Sequence, residues 1–253
     1  MIIAVASQKG GTGKTTTSIS LAAGLAKRKH EVLLIDVDPQ ANASKVVIPD
    51  YSSLRKEQTL FATILQRNAL QPLSSTVSGL DAVASHILLS NTDIELATAK
   101  DHREARLKAA LKEIAPRYDH IVIDCPPTLS WLTLNALTAA DQVIVPIAPG
   151  YFELDSVVQL GKTIEEVKEL FNPELQLAGF LFTMADPTIN SRTSLKILRQ
   201  TYTESVFSTV IPRNTDMRDA HFNKQDVFSF KPDAKAAQAY DRLIDELLHE
   251  QDA

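Results

Sequence analysis

The apolar run Ile2-Ile3-Ala4-Val5-Ala6 passes through Ser7 into Gln8-Lys9-Gly10-Gly11-Thr12-Gly13-Lys14-Thr15-Thr16. A short buried strand, a glycine-rich turn and a helix in that order present several backbone N–H groups, and the positive end of a helix dipole, to one anion. Gly10, Gly11 and Gly13 can take positive φ and carry no Cβ to collide with phosphate oxygens. Lys14 can neutralise β- and γ-phosphates, and the Thr15 hydroxyl can ligate Mg²⁺. The stretch from Lys9 to Thr16, with Thr12 at the tip of its turn, therefore reads as a phosphate-binding loop for a nucleoside triphosphate. The bland alternative is an ordinary glycine turn with Lys9 as a solvated charge, and the joint occurrence of strand, loop, lysine, hydroxyl and helix weighs against it. The common pattern G-x-x-x-x-G-K-[ST] requires glycine at position 8, where this chain has Gln8.

Further continuous apolar runs recur between helix-like stretches: Val32 to Ile35, Ile121 to Ile123, Val143 to Val145, Phe180 to Phe182 and Val206 to Ile211. Runs without alternation suit strands buried on both faces. The expected fold is α/β, a mostly parallel twisted sheet with helices on both sides. With 253 residues and 44% hydrophobic content, the chain can bury a full core, and one domain over 1–253 is the default. No repeat and no uninterrupted apolar stretch of membrane-spanning length stands out. The apolar start lacks a basic leader and reads as the first strand, which gives a cytoplasmic expectation. The single cysteine, Cys125, excludes an intramolecular disulfide and a one-chain Cys₄ metal site.

Ligands of parallel α/β sheets bind beyond the carboxyl ends of the strands. There the chain places Asp36-Val37-Asp38-Pro39-Gln40 after one run and Asp124-Cys125-Pro126-Pro127 after another. A carboxylate ending a strand beside a phosphate loop suits Mg²⁺ held through its water shell, since Mg²⁺ keeps waters and takes few protein ligands. An Asp in such a place is otherwise a turn former or a helix N-cap.

The variant K-G-G-T-G-K-T-T resembles the deviant Walker A box of the ParA/MinD family of P-loop ATPases. The likeness extends to L-L-I-D-V-D-P-Q-A-N from Leu33 to Asn42, I-V-I-D-C-P-P from Ile121 to Pro127, L-T-L-N-A-L-T-A-A-D from Leu132 to Asp141, and I-P-R-N from Ile211 to Asn214. Together these are similar to a ParA-type partition ATPase of the small form that lacks an N-terminal DNA-binding extension. The resemblance implies ATP and Mg²⁺ as cofactors. It makes Lys14 and Thr15 the Walker A lysine and direct metal ligand, and Asp124 the Walker B acid. Asp36 would support the metal's water shell with Asp124, and Asp38 would polarise the attacking water. Met184, Pro212, Arg213 and Asn214 would lie around the adenine. The single cysteine argues against the iron–sulfur relatives of the group, which hold a shared cluster with two cysteines per subunit.

Lys9 lies before the turn and cannot easily duplicate Lys14, whereas in a face-to-face dimer it can reach the partner's phosphates, as an arginine finger does in trans. The family uses its signature lysine in this way. The expectation is an ATP-sandwich homodimer with slow basal hydrolysis, released by hydrolysis that a ParB-like adaptor stimulates.

The net charge of −5 speaks weakly against nucleic acid, but charge is uneven: Asn190 to Arg242 holds nine Lys/Arg and six Asp/Glu, a balance of +3 that leaves −8 for the rest. Arg192, Lys196 and Arg199 fall on one face of the helix expected from Ser191 to Tyr202. With Arg218 and Lys224 they form the candidate surface for non-specific double-stranded DNA. No base-reading module is evident, so contact would be sequence-independent and salt-sensitive. Composition alone also allows these residues simply to solvate helices. The resemblance favours nucleotide-switched DNA binding and a nucleoid-associated protein in the cytoplasm.

Two other functions compete. A MinD-like membrane switch would use a basic amphipathic C-terminal helix. Here the apolar stripe Leu243, Ile244, Leu247 and Leu248 is flanked by Asp241, Asp245, Glu246, Glu250 and Asp252, charges that an anionic membrane repels. A helix packed on its own core, and no membrane partner, is the expectation. A metabolic ATP-dependent enzyme on the same scaffold is the second competitor, but the six histidines show no ligand-like spacing. Lys45 to Asn68 carries no usable motif, beyond a helix that Gln58 to Leu65 can begin. The mixed charges from Asn91 to Lys112 read as solvated helix faces.

Overall fold

The computed structural model describes residues 1–150, 153–203 and 205–249. Its centre is a seven-stranded sheet in the order β3-β4-β2-β5-β1-β6-β7. The strands are β1 (Ile2–Val5), β2 (Val32–Asp36), β3 (Leu73–Ser74), β4 (Leu80–Val83), β5 (His120–Asp124), β6 (Gln142–Ile147) and β7 (Gln176–Phe182). All neighbours run parallel except β3 against β4. Between and after them come α1 (Lys14–Lys27), α2 (Asn42–Val47), α3 (Leu60–Gln66), α4 (Thr92–Ala97), α5 (Arg106–Leu111) and α6 (Trp131–Ala139). The later helices are α7 (Glu153–Leu170), α8 (Ile189–Thr201), α9 (Thr215–Phe222), α10 (Val227–Phe230) and α11 (Lys235–His249).

The apolar runs are continuous because each central strand feeds two cores. Ile3, Val5, Val32, Leu34 and Val122 pack with α1, α2 and α11 on one face. Ala4, Leu33, Ile35, Ile121 and Ile123 pack with α3 and with α5 to α8 on the other. Alternate residues of one strand thus serve opposite layers, and all are buried.

The chain departs from the sequence expectation beyond β7. Val206 to Ile211 forms no ladder strand and touches the sheet through isolated bridges, Phe180 with Val206 and Ala185 with Pro212. The reason is Glu246 of α11, whose carboxylate accepts the amides of Ser208 at 2.6 Å and Thr209 at 3.0 Å. Those two N–H groups are pinned to a helix, while the Phe207 and Ile211 amides on either side still donate to the Phe180 and Phe182 carbonyls of β7 at 3.1 and 2.9 Å.

Helix α8 begins two residues before the expected start because the Thr188 hydroxyl caps it, accepting from the Ser191 amide at 3.2 Å. The mixed-charge region is less solvated than its composition suggests, since Leu96, Leu107 and Leu111 are buried. The apolar stripe of α11 is also in the core, with Leu243, Ile244 and Leu247 at most 1% exposed. Two of the flanking acids named above, Glu250 and Asp252, lie outside the described residues. No described helix is long and apolar enough to cross a membrane.

Candidate nucleotide site

The sheet register builds the site. Asp36 at the end of β2 pairs with Asp124 at the end of β5, and Asp124 pairs with Val5 of β1, from which the glycine loop departs. The two acids and the loop are therefore delivered side by side at the carboxyl edge. Gly11 and Gly13 have φ of 80° and 87°, values that only glycine holds at low cost, and Gly13 opens α1. Lys14 is 6% exposed, and its Nζ donates to the Lys9 carbonyl at 2.8 Å, which curls the loop around the ammonium.

Asp124 is fully buried. Its Oδ1 accepts from the Ser18 hydroxyl at 2.9 Å, one helical turn beyond Lys14, while Oδ2 is buried with no hydrogen-bond partner among the described residues. Asp36 is held more fully: Oδ1 accepts the Asp38 amide at 3.1 Å, and Oδ2 accepts the Ser44 amide at 2.8 Å and hydroxyl at 2.7 Å. Asp38 is 7% exposed; its Oδ1 accepts the Gln40 amide at 2.9 Å and its carbonyl takes the Ser85 hydroxyl at 2.6 Å.

Burial pushes the carboxyls of both Asp36 and Asp124 well above the usual carboxylate range. Ser44 opposes this at Asp36; at Asp124 the nearby Asp36 charge adds to it, and the Thr15 and Ser18 hydroxyls oppose it. Burial likewise lowers Lys14, while Asp124, Cys125 and Asp38 hold its proton on. The site is thus a cluster of desolvated carboxylates beside one cation, a charge pattern that a divalent cation and a polyphosphate would balance together. Among the described residues no three His, Cys, Asp or Glu side chains converge as a metal cage. The donor set of one hydroxyl, an unpartnered carboxylate oxygen and a second acid nearby matches a hydrated Mg²⁺, which takes few protein ligands.

Beside Gly13 and Thr16 opens a cavity of about 530 Å³, and Met184, Pro212, Arg213 and Asn214 all line it. Thr183 fastens this wall to the loop, its hydroxyl donating to the Thr12 carbonyl at 2.8 Å. Tyr240 of α11 closes the inner side, with its hydroxyl 3.0 Å from Thr17 Oγ1.

The five basic residues named for DNA are all exposed. Arg192, Lys196 and Arg199 are all exposed on α8, with Arg192 and Arg199 steadied on the carbonyls of Pro187 and Ser208. Arg218 lines the cavity with the residues named for adenine, while Lys224 is exposed beyond the end of α9. Sequence reading missed Ser18, Ser44, Thr183 and Tyr240. Only Ser18 carries a signal, its spacing of one turn from Lys14.

Comparison with known proteins gives the same outline. The profile of a family described as an AAA domain matches residues 1–177. The chain is 37% identical to the sporulation initiation inhibitor protein Soj of Bacillus subtilis, over 97% of both chains. It belongs to the ParA-type ATPase family. Another member, the chromosome-partitioning ATPase Soj of Thermus thermophilus, is 40% identical over 97% of this chain and 94% of its own. This ParA-type chain also superimposes on a Mycobacterium smegmatis structure described as cobyrinic acid a,c-diamide synthase with bound ATP analogue and magnesium. There the TM-score is 0.85 at 32% identity, over 100% of this chain and 96% of that one.

Proposed function

We propose that this protein is an ATP-dependent partition ATPase that acts as a nucleotide-switched homodimer on DNA. The observation that carries the reading is the in-register pair Asp36 and Asp124 beside Lys14, with a buried Asp124 oxygen left without a partner. The ATP analogue and magnesium named for the M. smegmatis structure, and the chromosome-partitioning name of the T. thermophilus relative, support the cofactors and the role.

In this reading the amides from Gly10 to Thr16 hold the phosphates and Lys14 neutralises them. Thr15 would hold Mg²⁺ directly, with Asp36 and Asp124 acting through water. An ion held by these residues would supply neutralisation of the phosphate charge. Asp38 orients the attacking water. Lys9 reaches the partner subunit's nucleotide and completes the charge at the transition state, so an isolated subunit turns over slowly. Met184, Pro212, Arg213 and Asn214 enclose the adenine. The ATP-bound pair doubles the Arg192, Lys196 and Arg199 face, and non-specific double-stranded DNA binds there until a ParB-like adaptor stimulates hydrolysis. One unit over 1–253, cytoplasmic and nucleoid-associated, distributes a DNA or protein-complex cargo.

Binding to non-specific duplex DNA, measured with a non-hydrolysable ATP analogue and with ADP across a salt series, tests this. With about six phosphate contacts per dimer, affinity falls about 10³-fold between 50 and 200 mM salt. Equal binding with ADP, or no binding in a preparation that binds nucleotide, refutes the DNA switch.

A further inference from the structure

The two acids that follow β2 are joined through one residue that belongs to neither the phosphate loop nor the nucleotide cavity. Ile35 of β2 pairs with Val83 of β4, and two residues further along this parallel register Ser85 comes level with Val37, between Asp36 and Asp38. Ser85 is fully buried, and each of its polar groups is bonded outside its own strand. The hydroxyl donates to the Asp38 carbonyl at 2.6 Å. The amide donates to the Ser44 hydroxyl oxygen at 2.9 Å, and that hydroxyl in turn donates to Asp36 Oδ2 at 2.7 Å. The carbonyl accepts the Tyr51 hydroxyl at 3.2 Å.

A buried serine needs some partner for its hydroxyl, and that need alone accounts for one bond but not for the choice of acceptor. The Asp38 carbonyl already accepts the Ala41 amide at 2.8 Å, so Ser85 is a second donor to a satisfied oxygen. What the second bond adds is location. The turn from Asp38 to Ala41 closes on that carbonyl and on Asp38 Oδ1, which accepts the Gln40 amide at 2.9 Å. It ends on Ala41 at φ 55°, a left-handed conformation that alanine adopts only at a cost. A strained turn keeps one geometry where its surroundings over-determine it, and the Ser85 hydroxyl ties this one to the end of β4.

We propose that Ser85 is a positioning residue for ATP hydrolysis: its hydroxyl places Asp38, which orients the attacking water, and its amide, through Ser44, places Asp36, which serves the metal's water shell. Because both arms leave one strand end, they fix the separation of the two acids. The hydrolytic part rests on the nucleotide-site reading above, whereas the clamp does not.

Ser85→Ala separates the two arms. It removes the hydroxyl and keeps the amide, and the Asp38 carbonyl retains its Ala41 donor, so no buried group is orphaned and the fold is kept. Hydrogen exchange of the nucleotide-free, full-length protein, read by mass spectrometry, should run at least about tenfold faster in the segment 36–44 of S85A and at the wild-type rate in α11. The kcat for ATP should fall about 10- to 100-fold, the effect of displacing a catalytic group by up to about 1 Å, while KM and the half-saturating Mg²⁺ concentration stay within about twofold. Ser44→Ala cuts the other arm and should raise that Mg²⁺ concentration about tenfold or more. Unchanged exchange in the segment 36–44, or faster exchange throughout the chain, overturns the clamp. Local loosening with a wild-type kcat overturns the positioning role, and so does a fall in kcat matched by an equal rise in the Mg²⁺ requirement of S85A. A wild-type protein that never hydrolyses ATP counts against the ATPase reading, and the exchange experiment then decides the clamp by itself.

Discussion

Ser44 should govern the stability of the acid pair, although it touches neither the phosphate loop nor the cavity. Its hydroxyl donates to Asp36 Oδ2 at 2.7 Å and accepts the Ser85 amide at 2.9 Å, and all three residues are at most 1% exposed. Above about pH 7, to which burial raises the titration of Asp36, Ser44→Ala removes a hydrogen bond to a buried charge, worth about 1.5–3 kcal/mol, and leaves the Ser85 amide without that acceptor at about 1 kcal/mol more. A loss of about 3 kcal/mol corresponds to a melting temperature lower by about 6–12 °C for a domain of this size. Thermal unfolding followed by circular dichroism, without nucleotide, measures it, with the exposed Ser53→Ala as control. The stronger test is a double-mutant cycle with Asp36→Asn, which should return a coupling of about 1–3 kcal/mol between the two sites. A melting shift under about 2 °C, or a coupling indistinguishable from zero, would show that the Ser44 contact does not hold the carboxylate and would refute this account of the site's assembly.

Lys9→Ala should still bind ATP but lose ATP-dependent dimerisation and hydrolysis; sedimentation and phosphate release showing wild-type behaviour would remove its role across the dimer. His120 gives a pH prediction. Burial, the neighbouring His30 and the N-terminal ammonium lower it from 6.5 to about 4, against the pull of Asp119. The unfolded chain thus binds more protons between these values, so stability present above pH 6.5 is lost as pH falls toward 4. His120→Gln should flatten that slope by about 2 kcal/mol, after discounting for solvent screening; urea midpoints with an unchanged slope would contradict it. Gly24 is where α1 meets α11: an added Cβ would lie 2.3 Å from Ile244 Cδ1 and 3.0 Å from the Phe228 ring. Gly24→Val should cost about 1–3 kcal/mol by overpacking. Gly161→Ala, in open space on α7, should stabilise by about 0.5–1 kcal/mol, and equal effects of the two in chemical denaturation would defeat the packing argument.

The central strands were legible because a strand covered on both faces needs no polar residue, so its sequence is an unbroken apolar run. The same rule failed where polar groups had remote partners. In β4, Leu80-Asp81-Ala82-Val83 reads as interrupted, yet Asp81 accepts the Tyr118 hydroxyl at 2.8 Å. Val206 to Ile211 reads as a strand, yet Glu246, far along the chain, takes two of its amides. At the site, Asp36 and Asp124 could be found because a strand end announces itself locally. Ser44 could not, since nothing in its neighbourhood marks a serine destined for a carboxylate eight residues earlier. Arg218 is both exposed and part of the cavity lining, a double placement that its closeness in sequence to Lys224 does not announce.

These remote contacts share a location, and that gives the C-terminal helix a role its sequence conceals. The glycine loop and the acids come from β1, β2 and β5, whereas the cavity wall opposite them comes from residues 183–221. Helix α11 ties the two halves at three heights. Tyr240 meets Thr17 directly behind the loop, Asp241 and Asp245 bind Arg28 at the far end of α1, and Glu246 holds Ser208 and Thr209 just before Pro212. Its apolar stripe is used by the core, and its acidic flank is spent on positioning the segment that leads into the cavity wall. The contacts that bury this helix against the core are therefore the same ones that hold the two sides of the nucleotide cavity together.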